Sequence, residues 1–160
     1  MRTEERRVRM MICVAGLAML VLAASTSAAD LPEKFDPARD AARDVATAVS
    51  LARAEGKRVI VDVGGEWCPW CHTLDRFVAT HAAVGARARA HYVWVKVNVS
   101  KANRNDSLLA RWPRIAGYPH LFVLDASGRL LHSQDTGLLE AGDSYDEARM
   151  VAFLDRWSHD

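Results

Sequence analysis

Two thiols with two residues between them, Cys68 and Cys71, are the side chains of this 160-residue sequence best suited to chemistry. A dithiol at that spacing suits thiol–disulfide exchange. One sulfur, as thiolate, attacks a disulfide, and the second releases the trapped intermediate. As a staple the same pair would close only a tiny loop and constrain the unfolded chain little. The third cysteine, Cys13, lies far upstream in an apolar run.

The neighbouring residues say how such a pair is held. Arg58-Val-Ile-Val-Asp-Val63 is a short β-branched run of the kind that forms a buried strand, and Gly64-Gly65-Glu66-Trp67 reads as a loop. A helix then begins at Cys68, since Pro69 is tolerated in a first turn and Leu74, Phe77, Val78 and His81 recur at helical spacing. At a helix N-terminus, unpaired N–H groups and the positive end of the dipole stabilise a thiolate. Cys71 falls one turn further on, within disulfide reach.

The remaining elements follow from periodicity and punctuation. The pattern predicts a helix from Asp36-Pro37 to Gly56, capped by Asp36, with Ala41, Val45, Ala48, Val49 and Ala52 on one face. His91 to Val99 alternates as a strand, and a short helix runs from about Asp106 to Trp112 before Pro113. Leu121–Leu124 and Leu130–Gln134 flank Asp125-Ala-Ser-Gly128 as a hairpin. Ser144-Tyr-Asp-Glu147 matches a capping box ahead of Met150, Phe153, Leu154 and Trp157. The order α–β–α–β–α–β–β–α predicts an α/β domain with one mixed sheet.

The first 29 residues read differently. Arg2, Arg6, Arg7 and Arg9 precede an apolar run from Met10 to Ala24, then the small residues Ser27-Ala28-Ala29, the order of a secretory signal peptide. The run is shorter than the ~20 residues that span a bilayer, although an uncleaved N-terminal anchor is the competing expectation. Cleavage after Ala29 leaves one domain, 30–160, with 17 basic against 18 acidic residues. That balance offers no electrostatic reason to bind nucleic acid or an anionic membrane. Export, to the periplasm if the cell is bacterial, puts Cys68 and Cys71 in a disulfide-permissive compartment.

The stretch Val61-Asp-Val-Gly-Gly-Glu-Trp-Cys-Pro-Trp-Cys71, with Lys96-Val-Asn98 and Ile115-Ala-Gly-Tyr-Pro119 in the same order downstream, resembles the thioredoxin-like superfamily. Trp-Cys-Pro-Trp-Cys-His is most similar to exported bacterial members. The resemblance implies a thioredoxin fold, a central mixed β-sheet flanked by helices on both faces. It also implies thiol–disulfide oxidoreductase activity on protein disulfides, and a periplasmic or membrane redox partner. In that frame Cys68 and Cys71 are the catalytic pair, and Asp62 is the buried acid that helps deprotonate Cys71, its pKa raised by burial. Lys96 supports that acid. Trp67, Trp70, Tyr118 and Pro119 form the substrate surface, a cis Tyr118–Pro119 bond leaving the Tyr118 backbone free for an extended chain. The protein is expected to act as a monomer, and no metal, nucleotide or organic cofactor is implied.

Two departures bear on direction. Pro69-Trp70 stands where thioredoxin has Gly-Pro, and His120 follows the loop proline where threonine is usual. A protonated His72 beside the thiolate would make the pair more oxidising. Asp62 and Lys96 match thioredoxin, so the reductase direction is expected over oxidase or isomerase. The family's first strand has no clear counterpart in residues 30–36.

Rival readings use the same residues. Cys68-Pro-Trp-Cys71-His72 satisfies the C-x-x-C-H pattern for haem attachment, but such a cytochrome commonly wants a second axial ligand, and the one methionine after residue 29 is Met150. A structural zinc site lacks a second ligand pair. A non-enzymatic binding module would keep partner affinity without Cys68. His81, His91, His132 and His159 belong to no constellation.

Overall fold

The computed structural model describes residues 30–158, so the signal-peptide reading, Cys13 and His159 fall outside the described residues. Its main sheet is built around β1 (Arg58–Gly64). β1 pairs in parallel with β2 (Tyr92–Asn98) and antiparallel with β3 (His120–Leu124), and β3 pairs antiparallel with β4 (Leu130–Asp135). The strand order β2-β1-β3-β4 gives the mixed sheet.

Alternation along the strands sends successive side chains to opposite faces. Val59, Val61 and Val63, with Val93, Val95 and Val97, pack against Ala41, Val45, Ala48 and Ala52 of α1 (Ala41–Glu55). Ile60, Leu121 and Val123 face the other way. They pack with α2 (Pro69–Thr80), α3 (Ala82–His91) and α5 (Glu147–Arg156) through Leu74, Phe77, Val84, Met150, Phe153 and Leu154. A short α4 (Asp106–Leu109) adds Leu108 to the α1 side. Asp62, in register with Lys96, is on the same side of β1 as Ile60 and so lies on the α2 face.

Several boundaries differ from the sequence pattern. α1 starts at Ala41, not at Asp36-Pro37, because the Asp40 carboxylate caps it by accepting from the Arg43 N–H. Asp36 instead accepts from the Ala38 N–H at 2.8 Å, a local turn that competes with helix. Ser144 does not cap α5. It pairs with Ala141 in a small hairpin of β5 (Glu140–Ala141) and β6 (Ser144–Tyr145), and Asp146 caps the helix by accepting from the Arg149 N–H at 2.9 Å. The helical pattern through His81 conceals a break. α2 stops at Thr80, His81 is extended, and α3 follows. α3 gives no apolar periodicity because its buried contacts are small: Val84, Gly85 and Ala88. A Cβ on Gly85 would come within 2.8 Å of the Val78 carbonyl, so the helices approach closely there.

No strand forms in residues 30–36, but Phe35 is 1% exposed and clusters with Cys68 and Cys71. Among the described residues, no helix is long and apolar enough to cross a membrane. Because Phe35 is the fully buried side chain of residues 30–36, Phe35→Ala is expected to cost about 3–5 kcal/mol in a urea titration. A loss below about 1 kcal/mol would mean that the segment is not part of the core.

Candidate active site

β1 ends on Gly64, the chain turns through Gly65-Glu66-Trp67, and α2 begins with Cys68 as N-cap and Pro69 at its first positions. Pro69 costs nothing there, since a first-turn N–H has no helical partner. Cys68 and Cys71 are joined as a disulfide with Cα atoms 5.3 Å apart. The Cys71 N–H donates to Cys68 Sγ at 3.2 Å, so a cysteine sulfur fills the role usually taken by a capping oxygen. A thiolate at that position would receive the amide and the positive end of the α2 dipole.

The pair is tightly enclosed. Cys71 is fully buried and Cys68 is 3% exposed, with Trp70 and Tyr118 packed against them. The sulfur is therefore shielded rather than open, and a reacting partner must meet it between these aromatic side chains. A Cβ on Gly64 would lie 2.5 Å from Cys71 Sγ and 3.1 Å from the Phe35 ring, so only glycine lets the strand end pass this close.

On the α2 face, Asp62 is entirely buried. Its Oδ2 accepts from Lys96 Nζ and Trp94 Nε1, both at 3.2 Å, while Oδ1 has no protein hydrogen-bond partner among the described residues. Burial pushes its pKa up, against the opposing pull of Lys96 and the Trp94 hydrogen bond. Lys96 also reaches Asp75 Oδ1 at 2.5 Å and sits 4.2 Å from the Phe35 ring centre. Burial alone would lower the lysine pKa, but Asp62 and Asp75 hold it above its ordinary value. Asp62, Lys96 and Asp75 thus form a chain from a closed interior to the surface, the last side chain being 41% exposed.

The Tyr118–Pro119 peptide is cis and leads directly into β3. Trp67 is 57% exposed, donates its indole N–H to the Val99 carbonyl at 2.6 Å and meets the Tyr118 ring edge-on at 5.7 Å. Trp70 meets Tyr145 in the same manner at 5.5 Å. Trp67 and Tyr118 therefore form one aromatic shoulder of the site, while Trp70 is anchored toward α2 and β6.

The histidines separate. His72 Nε2 lies 2.9 Å from the Glu66 carbonyl and 3.9 Å from its carboxylate, so the ring engages Glu66. His120 is buried with Nε2 2.8 Å from Ser133 Oγ, and burial lowers its pKa. His81 stacks on Phe77 and His132 on Trp157. Met150 is fully buried in the cluster that contains Leu74 and Phe153, which leaves it unsuited to ligate a haem beside His72 without unpacking the core.

Sequence reasoning overlooked Phe35, Glu66, Trp94 and Asp75. Glu66 Oε1 accepts from the Phe35 N–H at 2.9 Å and ties the incoming chain to the loop before Cys68. Asp75 had a signal, since it lies four residues after Cys71 on the same helical face. Trp94 is two residues before Lys96 on one strand face and was legible in the same way. Phe35 had none.

Two outcomes follow from this geometry. The folded state holds the Asp62 proton more tightly than the unfolded chain does, so ionised Asp62 costs stability, and the cost grows as pH rises from the ordinary carboxylate range through the raised value. Asp62→Asn, which leaves Lys96 paired with Asp75, is expected to raise the urea midpoint at pH 8 and to lose that advantage near pH 4. A midpoint gain that is equal at both pH values would contradict a raised pKa. Gly64→Ala is expected to lower stability by about 1–3 kcal/mol through overpacking, read in the same titration; an unchanged midpoint would show that the contact with Cys71 is slack.

The sequence profile of a family described as thioredoxin-like matches residues 40–126, more than half of the chain. The thiol:disulfide interchange protein DsbD of Actinobacillus pleuropneumoniae is 29% identical over 92 residues, which cover 57% of this chain and 16% of that protein. The chain thus matches about a sixth of the length of such curated relatives. A disulphide isomerase from Xylella fastidiosa superposes with a TM-score of 0.66 at 24% identity, over 81% of this chain and 98% of that one. The C-terminal domain of Neisseria meningitidis DsbD, in its oxidised form, superposes at 0.54 with 16% identity, over 74% and 96%. These two likenesses show the fold. With the profile match across β1, the cysteine pair, β2 and β3, the chain belongs to the thioredoxin-like family.

Proposed function

We propose that this chain is an exported thiol–disulfide oxidoreductase that reduces protein disulfides through Cys68 and Cys71. The observation that carries the reading is a cysteine sulfur capping α2, bonded to a second cysteine one turn deeper, at the end of a strand that carries a fully buried carboxylate two residues before its last glycine. The naming of the DsbD relatives for thiol:disulfide interchange supports it. The order of residues 1–29, a basic start, an apolar run and small residues, supports export to the periplasm with cleavage after Ala29.

In the reductive cycle the Cys68 thiolate attacks one sulfur of a substrate disulfide and the other substrate sulfur leaves as thiolate. Asp62 accepts the Cys71 proton, directly or through water, and Lys96 stabilises the carboxylate whenever it is ionised. Cys71 thiolate then attacks Cys68, the mixed disulfide breaks, and the substrate departs with two electrons. The Cys68–Cys71 disulfide that remains must be reduced by a periplasmic or membrane dithiol. Tyr118 and Pro119 hold the extended substrate beside the pair, with Trp67 and Trp70 as apolar contacts. The pairing of Lys96 with buried Asp62, the feature shared with thioredoxin, supports the reductive direction.

Insulin reduction with dithiothreitol as electron source tests the reading. Turnover is expected for the parent and none for Cys68→Ser, while Cys71→Ser should accumulate a mixed disulfide with substrate. Equilibration with glutathione should place the couple near about −270 mV, as for thioredoxin, and a value near about −120 mV would reverse the assigned direction. A Cys68 thiol titrating at about 8.5, like free cysteine, and inert toward disulfides would remove the enzymatic assignment.

A further inference from the structure

The near-neutral balance of residues 30–160 hides an uneven distribution. The connection from Val99 to Gly117 holds Lys101, Arg104, Arg111 and Arg114 against a single acid, Asp106. The remaining residues hold 13 basic against 17 acidic side chains. All four basic residues are exposed. The connection runs from the end of β2 to the cis Tyr118–Pro119 bond, so it borders the reactive pair on the Trp67 side.

Lys101 and Arg104 bring this surface to Trp67. They line one shallow cavity of about 260 Å³ with Trp67, Val99 and Ser100, and Trp67 is bonded to that wall through the Val99 carbonyl. The loop that carries them is braced by asparagines. Asn98 donates to Ser100 Oγ and to the Asn103 carbonyl, Asn105 donates back to the Asn98 carbonyl at 2.7 Å, and Asn103 reaches the Pro37 carbonyl at 3.0 Å. Bracing of this kind holds the two cations beside the indole instead of leaving them on a loose loop. The acid of the connection and the acid of the loop before Cys68 are both already engaged. Asp106 pairs with Arg104 in the open, at 3.2 Å with both side chains more than 70% exposed, so solvent screens that pair. Glu66 is engaged by the Phe35 N–H and lies near His72.

We infer that this basic rim beside Trp67 selects disulfide partners whose reacting cysteine is flanked by acidic residues. The inference rests on the oxidoreductase reading and deepens it by naming the partner's chemistry. The partner lays an apolar segment on Trp67 and Tyr118 while its carboxylates face Lys101 and Arg104. Rim charges of this type act on encounter rate more than on the bound complex, so the preference is expected to depend on salt.

The test compares reduction of two disulfide peptides of equal length, one with Asp and Glu flanking its cysteine and one with Lys and Arg, alongside neutral hydroxyethyl disulfide. At ionic strength of about 0.02 M the acidic peptide should react roughly tenfold faster than the basic one, with the ratio falling below about twofold at 0.5 M. The double variant Lys101→Glu with Arg104→Glu should abolish or invert the ratio and leave the hydroxyethyl disulfide rate unchanged. Normal turnover of hydroxyethyl disulfide with no discrimination between peptides, or discrimination that survives the double variant, would overturn the inference. No turnover of hydroxyethyl disulfide by the parent would instead strike the oxidoreductase reading, and the inference with it.

Discussion

The end of β1 has no side chain, and the site depends on that. Gly64 lets the Cys71 sulfur and the Phe35 ring press against the strand end, so the deeper cysteine is sealed while the outer one caps the helix. Asp62, two residues earlier on the same strand and on the side facing α2, is closed off from solvent with it. One missing methyl group therefore couples three things: where the sheet ends, where α2 begins and how dry the space beneath the sulfurs is.

Dryness sets the electrostatics. A carboxylate without solvent prefers its proton, and Lys96 opposes that preference without cancelling it. Asp75, half in solvent, draws the ammonium outward and links the buried acid to the surface. A raised pKa matches the proton acceptor proposed for Asp62, and the ionised form carries a stability cost. Trp70 and Tyr118 pack around the bonded pair, while among the described residues Trp67 is the tryptophan with an exposed ring.

In the proposed function, recognition is divided between apolar contact and charge. Trp67 and Tyr118, packed edge to face, are proposed as an apolar surface with little sequence preference. The basic connection beside them is proposed to supply the discrimination that apolar contact cannot, since opposite charges steer encounter and like charges repel it.

What the sequence determined alone was local. The β-branched run, the cysteine spacing, Pro69 at the second helix start and the Asp125–Gly128 turn each carry their signal within a few residues, so β1, α2 and the β3–β4 hairpin were legible. Cys68, Cys71, Asp62, Trp67 and Pro119 could be named because they sit in or beside those segments. Cap choice was less legible, because Asp36 competes with Asp40 and Ser144 with Asp146 for similar hydrogen bonds, and packing of the flanking chain selects the winner. α3 was invisible because it packs through only Val84, Gly85 and Ala88, where close backbone approach replaces an apolar stripe. Tertiary structure alone decided that Phe35 seals the cysteines, that Asp75 completes the chain from Asp62 through Lys96, and that His72 turns to Glu66. Each of these contacts depends on where elements meet across the fold, or on which of several nearby partners a side chain takes there, and periodicity along a chain carries no information about either.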